Sequence, residues 1–453
     1  MSEVRHDTAT QYIDAHAEHF LSALQALVRH PSDSTSGEGI RECAGFLADR
    51  MDDLGLNAEL LETEGNPLVF GAWEQRAELP TLLITTHYDV QPAAPLDAWR
   101  HPPYEAVREG DHIWGRGTSD AKGPVTAVLS AVEAVMRSGS RPSVNLKVLL
   151  DGEEEIGSPS MPGAIARYQE LIQADAVVTF DGNSMADGRP VINFGGGGLL
   201  YLQLDVETAR NDIHANRGAL VPNAAWRLAW ALSSLKAPDE QITIDRFAEN
   251  LVATNALDRE LLQSHQWDDT LELESMGAFS FLPGRGGERG PESLHLLPIV
   301  GISGIHSGYS GGGVGAVLPA SACAKVYIGL RANQTPDEIV SKIRNHLDRR
   351  NFDDIRLTVL GSTEPSFHRA DSALASMVID VAEKLYGRPP VVYPRGHWYG
   401  RQGSWIGSHI GANASQIAMI APPQPNNHGS NEYMLVDYLL RGVNFISRLS
   451  RWP

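Results

Sequence analysis

The chain has 453 residues, 42% of them hydrophobic and 21% charged, with a formal net charge of −19. That length exceeds one ordinary core and predicts two domains, while the composition fits a soluble globular protein. The negative balance excludes nucleic acid as a partner, because phosphate backbones demand clustered Lys and Arg. No apolar run approaches the roughly 20 residues that span a bilayer, so no membrane is expected. Residues 1–12 show no apolar leader, and the two cysteines, Cys43 and Cys323, cannot build a disulfide framework. Together these predict a reducing, cytoplasmic setting.

Ile13, Phe20, Leu21, Leu24 and Leu27 give an N-terminal helical stripe. Leu83 to Thr86, Val144 to Leu150 and Ala176 to Phe180 are short apolar runs of the kind found in buried parallel strands. Between the first two, Val125, Val128, Leu129, Val132, Val135 and Met136 keep helical spacing, with Pro124 suited to the first turn. Strand, helix and strand then repeat, as in a parallel sheet covered by helices. The texture changes after Gly195-Gly196-Gly197-Gly198. Strands are expected at Tyr201 to Val206, Val326 to Leu330 and Arg356 to Leu360. Helices are expected at Trp226 to Leu235 and along Ile339, Val340, Ile343 and Leu347, and Ser280 to Glu292 reads as a surface loop. Leu374 to Leu385, stopped by Gly387, resumes the first texture, and a helix through Leu439, Leu440, Val443 and Ile446 ends it. The fold class is therefore α/β: a mixed, mainly parallel sheet flanked by helices, formed by residues 1–197 and 366–453. An α+β domain is inserted at 198–365.

Three apolar runs end in metal-ligand chemistry, where open α/β sheets bind their ligands. TLLITT leads into His87-Tyr88-Asp89, the second run into Glu154-Glu155, and AVVTF into Asp181. His87 offers an imidazole nitrogen, and Asp89, two residues on, can orient it. Asp120, after Gly115 and Gly117, either caps the following helix or bridges two cations with its two oxygens. Glu154 and Glu155 should diverge on extended backbone, one toward metal and one toward substrate as a general acid/base. Alternatively they belong, with Asp151 and Glu153, to an acidic solvated strand end. Asp181 could be a turn residue and His428 a solvent-facing residue of a polar loop, but His, Asp, Glu, Asp and His together make a five-ligand set. Gly311-Gly312-Gly313 lacks the Lys-Ser/Thr of a nucleotide loop, and no GxGxxG follows a first strand.

The stretches TTHYDVQP, IWGRGTSDAKGP, EEEIGS, TFDGN and NNHGSNEYM resemble, in order and spacing, the M20 family of metallopeptidases and deacylases. That family includes carnosinase-like dipeptidases, acetylornithine deacetylase and succinyl-diaminopimelate desuccinylase. The resemblance implies that His87 and Asp181 bind one metal, Glu155 and His428 the other, and Asp120 both. It further implies Glu154 as general base, Asp89 as the group orienting His87, and a cis peptide between Asp120 and Ala121. The inserted domain would act as a lid and dimerisation domain. Asn211-Asp212-Ile213-His214 resembles the segment whose histidine crosses the dimer to the oxyanion, and Gly403-Ser404 a substrate-contacting turn. Leu330 to Pro336 resembles the stretch with a substrate-carboxylate arginine, yet the usual position falls on Gly329, leaving Arg331 as the substitute.

These readings imply a metallohydrolase with two divalent cations, zinc first and manganese or cobalt as alternatives, cleaving the amide bond of dipeptides or related small amino-acid amides. LPIVGISGIHSGYSGGGVGAVLP and the length of the insert favour the dipeptidase branch over the rival N-acyl amino-acid deacylase. A metal-binding scaffold without catalysis is the alternative from another class. A homodimer acting on small peptides or acyl-amino acids is the expected working form.

Overall fold

The computed structural model describes residues 8–73, 76–140, 142–263, 265, 267–313, 315–396 and 403–450. The leader reading of residues 1–12 falls partly on 1–7, outside the described residues. Within the described residues the chain forms two compact units. One comprises those of Met1–Gly195, Phe367–Arg395 and Gly400–Pro453, and the other those of Gly196–Ser366 and Gly396–Tyr399. No described helix is long and apolar enough to cross a membrane.

The first unit is built on an eight-stranded sheet. Its strands are β1 (Ala58–Leu61), β2 (Leu68–Ala72), β3 (Thr81–His87), β4 (Asn145–Asp151), β5 (Ala176–Phe180), β6 (Val191–Asn193), β7 (Val391–Tyr393) and β8 (Asn413–Ala418). They lie in the order β1-β2-β4-β3-β5-β8-β6-β7. The central members are parallel: β3 pairs with β4 and β5, and β5 with β8. Antiparallel pairing appears between β1 and β2, β2 and β4, and β8 and β6. All five residues of β5 and six of seven in β3 are buried, which is why these segments read as unbroken apolar runs. Leu83, Leu149 and Val177 form a core on one face with Met161, Ile165, Trp405 and Ile406.

Helix Lys122–Arg137 is buried from Lys122 through Val135, matching its Val- and Ala-rich stripe. The N-terminal stripe differs from expectation. It makes two helices, Thr8–Ala15 and Ala17–Val28, because His16 takes a non-helical conformation and its ring binds the Tyr12 carbonyl at 2.8 Å.

The second unit has a four-stranded antiparallel sheet in the order Ile299–Ser307, Ser321–Leu330, Gly198–Glu207, Arg356–Thr363. Alternation along Gly198–Glu207 places Leu200, Leu202 and Leu204 in one core with Leu228, Ile339 and Ile343 from helices Ala224–Leu235 and Pro336–Arg349. The expected loop at Ser280 to Glu292 is partly helical. A 3₁₀ turn, Gly287–Arg289, leads into helix Gly290–Leu296, with Pro291 in its first turn where no N–H is needed. Helices Ala256–Gln263 and Asp269–Met276 were not expected either.

Candidate dinuclear metal centre

Parallel pairing of β3 with β4 and β5 aligns three strand ends side by side. His87 is the last residue of β3, Glu154 and Glu155 follow β4, and Asp181 follows β5. Two loops add the remaining groups: Asp120 just ahead of helix Lys122–Arg137, and His428 in the segment between β8 and strand Tyr433–Leu435.

His87 Nε2 lies 3.1 Å from Asp120 Oδ1, 3.8 Å from Asp181 Oδ1 and 4.0 Å from Glu154 Oε2. His428 Nε2 lies 3.0 Å from Asp120 Oδ2 and 3.0 Å from Glu155 Oε2. Asp120 thus turns one carboxylate oxygen to each imidazole. Two trios result, His87–Asp120–Asp181 and Asp120–Glu155–His428, each with its ligand atoms within 4.8 Å of one another. One imidazole and two carboxylates per trio suit zinc, manganese or cobalt. The fit has a second sign: Glu155 Oε1 is buried and has no hydrogen-bond partner. A buried carboxylate oxygen left so is costly, and a cation satisfies it. His428 also holds φ at +61°, a conformation that costs a non-glycine residue free energy and is retained where surroundings enforce it.

Crowding shifts the titration of four groups here, His87, His428, Asp120 and Glu154. Burial works against the His87 imidazolium, but contacts with Asp120, Asp181 and Asp89 outweigh it and hold its pKa well above the usual range. Hydrogen bonds to Asp120 and Glu155 push His428 up to about 10. Asp120 goes the other way: burial raises it, yet His428 and His87 hold it below the ordinary carboxylate value. Burial raises Glu154 well above its usual value; His87 opposes this, and the charges of Asp181, Asp120 and Glu155 reinforce it. A site that stores protons on imidazoles and a carboxylate must release them to take up cations.

Asp89 does more than orient His87. The His87 Nδ1 donates to the Asp89 carbonyl at 3.1 Å and lies 3.4 Å from Oδ1. The Asp89 carboxylate accepts the N–H groups of Glu154 and Glu155 at 3.1 and 3.0 Å, so one buried aspartate ties both strand ends together. Glu154 and Glu155 do not diverge on extended backbone as expected; they open a 3₁₀ turn, Glu154–Ile156, and it is the turn that separates them. Asp151 and Glu153 are not a solvated face. Both are buried: Asp151 accepts from Ser158 Oγ at 2.5 Å, and Glu153 accepts the N–H groups of Asn66 and Ser160. Nor does Asp120 cap its helix: the cap position is Ala121, without a side-chain bond, and the Asp120–Ala121 peptide is cis.

Two participants were missed in the sequence. Gln91 Nε2 donates to the Glu155 carbonyl at 3.1 Å and to Glu155 Oε2 at 3.0 Å. Its signal was its place two residues beyond Asp89, on the same side of an extended chain. Glu432 is fully buried and accepts the Asp120 N–H at 3.0 Å.

The other expected site residues belong to neither trio. Gly403 and Ser404 open helix Gly403–Ile410, and a Cβ on Gly403 would come 1.6 Å from Thr179 Oγ1, so close packing against the sheet explains that glycine. The Ser404 carbonyl accepts from the His368 ring at 2.7 Å. His214 belongs to the second unit, exposed on the short strand Ile213–His214, with its Nδ1 accepting from the Asn216 N–H at 3.2 Å. Arg331 is buried in that same unit, donating to the Leu294 carbonyl at 3.2 Å and the Leu330 carbonyl at 3.4 Å.

Residues 83–451 match the family model of peptidase family M20/M25/M40. The chain is similar to the Cys-Gly metallodipeptidase dug1 of Schizosaccharomyces pombe, 26% identical over 361 residues, covering 76% of this chain and 75% of that protein. It is also similar to a succinyl-diaminopimelate desuccinylase of Alkalilimnicola ehrlichii, 24% identical over 430 residues, covering 91% and 93%. Among solved structures, an M20 family metallo-carboxypeptidase, Sso-CP2 from Sulfolobus solfataricus, superposes with a TM-score of 0.82 at 30% identity, covering 96% of this chain and 98% of that one.

Proposed function

Because the chain belongs to peptidase family M20/M25/M40, we propose that its metal centre cleaves the amide bond of dipeptides and related small amino-acid amides. It is a metal-dependent amide hydrolase. The observation that carries the reading is Asp120, whose two carboxylate oxygens each lie 3.0–3.1 Å from a different imidazole. His87, Asp120 and Asp181 would hold one divalent cation, and Asp120, Glu155 and His428 the other. When bound, such a pair acidifies water and polarises a carbonyl, with zinc the first choice.

Glu154 belongs to neither trio, although its carboxylate reaches 4.0 Å from His87 Nε2. That leaves it to take the proton of the attacking water and deliver it to the leaving amine. Asp89, bonded to the backbone of Glu154, fixes where that carboxylate stands. We assign His214, exposed on its short strand, to the oxyanion across a homodimer, and Gly403-Ser404 to backbone contact with substrate. The second unit is the lid and dimerisation domain in this reading. Arg331 stays in this reading as the substitute for the family's substrate-carboxylate arginine, with part of its guanidinium serving the Leu330 and Leu294 carbonyls of its own unit. The free cysteines Cys43 and Cys323 support a cytoplasmic setting.

N-acyl amino-acid deacylation is the second reading, favoured by the desuccinylase match over 91% of the chain. Chelated protein, re-supplied with zinc, manganese or cobalt singly, separates the two when assayed against dipeptides and against acetylated and succinylated amino acids. The expected result is no turnover without metal and restored cleavage of dipeptides. Hydrolysis confined to the acylated panel would establish the deacylase, and none in either panel by fully metallated protein would overturn both.

A further inference from the structure

The proposed mechanism leaves one buried ion pair unused. Glu432 is fully buried, and its two carboxylate oxygens take four donors. Oε2 accepts from Arg116 Nη1 at 2.8 Å and the Gly117 N–H at 2.9 Å; Oε1 accepts from the N–H groups of Ser119 at 2.8 Å and Asp120 at 3.0 Å. The surrounding backbone follows suit: the Gly115 N–H donates to the Glu432 carbonyl and Ser119 Oγ to the Tyr433 carbonyl. Arg116, 2% exposed, sends its other terminal nitrogen to the Pro92 carbonyl at 3.1 Å.

These bonds converge on one of the two trios. Glu432 grips the N–H of Asp120 and lies four residues past His428 in the same short segment. Through Arg116 it reaches Pro92, next in sequence to Gln91, whose amide holds Glu155. His87 and Asp181, by contrast, take their positions from the ends of β3 and β5. We propose that Glu432 is the positioning residue of the second metal subsite, setting the spacing of Asp120, Glu155 and His428. A buried carboxylate with four donors has little freedom to move, so the ligands attached to it have little either. The inference rests on the proposed metal centre and deepens it.

Glutamine at 432 keeps the shape but turns an amino group toward N–H donors, so two of the four contacts become donor against donor. Calorimetric titration of metal-free, full-length protein with Zn²⁺, against a competing chelator, reads the consequence. Wild type is expected to bind two equivalents. Glu432→Gln should bind one within about threefold of wild type, since Asp120 is shared, and the other about 10–100-fold more weakly, as loss of a group supporting a ligand does. In a His428→Ala background the same substitution should leave the remaining equivalent within about threefold, because linked sites are not additive. Glu432→Asp keeps the charge facing Arg116 but is one methylene short, so it should fold and show the same selective loss.

Two equivalents of wild-type affinity in folded Glu432→Gln and Glu432→Asp would overturn the assignment. Equal weakening of both equivalents would overturn it as well. So would failure of both variants to fold, which makes Glu432 a residue of the fold alone. A wild-type protein that binds no zinc instead sinks the metal centre itself.

Discussion

Glu154→Gln is expected to lower kcat on a dipeptide by about 10²–10⁴-fold while two metal equivalents remain bound. Glutamine keeps the volume and can keep a hydrogen bond, but it cannot take a proton from water and return it to an amine. Glu154 stands outside both ligand trios, so its replacement should spare metal content, measured by elemental analysis of the purified variant. KM should change little, since the loss lies in the proton-transfer step and not in binding. Near-wild-type turnover would remove Glu154 from the role. A variant that also lost metal would place Glu154 among the ligands.

Asp120→Asn should have the wider effect, because that carboxylate is shared by both trios. Asparagine offers one carbonyl oxygen and no charge, so it cannot serve two cations at once. Affinity for both metals is expected to fall by at least about 100-fold, the upper end of what loss of a supporting group does, and turnover should fall with it. The metal-free protein should change as well. His428 is raised to about 10 first through Asp120, so at pH 7 it carries a proton that metal must displace. Wild-type metal affinity should therefore climb as pH rises from about 6 toward 10, with proton release visible in buffers of different ionisation enthalpy. Without metal, a histidine whose pKa is raised on folding contributes its full stability below about 6.5, and loses it as pH rises through about 10. Both trends should flatten in Asp120→Asn. An unchanged pH profile in that variant would mean Asp120 does not hold the His428 proton.

Much of this centre is legible in the amino-acid sequence. The apolar runs marking β3, β4 and β5 are continuous because parallel strands are buried on both faces, and the chemistry at their ends follows from the sheet. Asp120 is legible only as one of two alternatives, since an aspartate before a helix is as good a cap as a ligand. The supports are harder. Glu432 looks like any charged loop residue until Arg116, 316 positions earlier, is brought against it. Asp151 and Glu153 sit in a run of acidic residues that composition assigns to solvent, yet their burial depends on Ser158, Asn66 and Ser160 closing around them. Helix Asp269–Met276 carries local signals, with Asp268 capping it and Gly277 ending it at φ +63°. It has no apolar stripe, because Leu271 and Met276 are exposed, and periodicity passes it over.

The most direct test is anomalous diffraction from crystals of the full chain grown with zinc. Two peaks roughly 3.5–4 Å apart are expected, both touched by the Asp120 carboxylate, one flanked by His87 and Asp181 and the other by Glu155 and His428. A single peak that leaves one imidazole unliganded, or zinc bound elsewhere with these five side chains apart, would contradict the account.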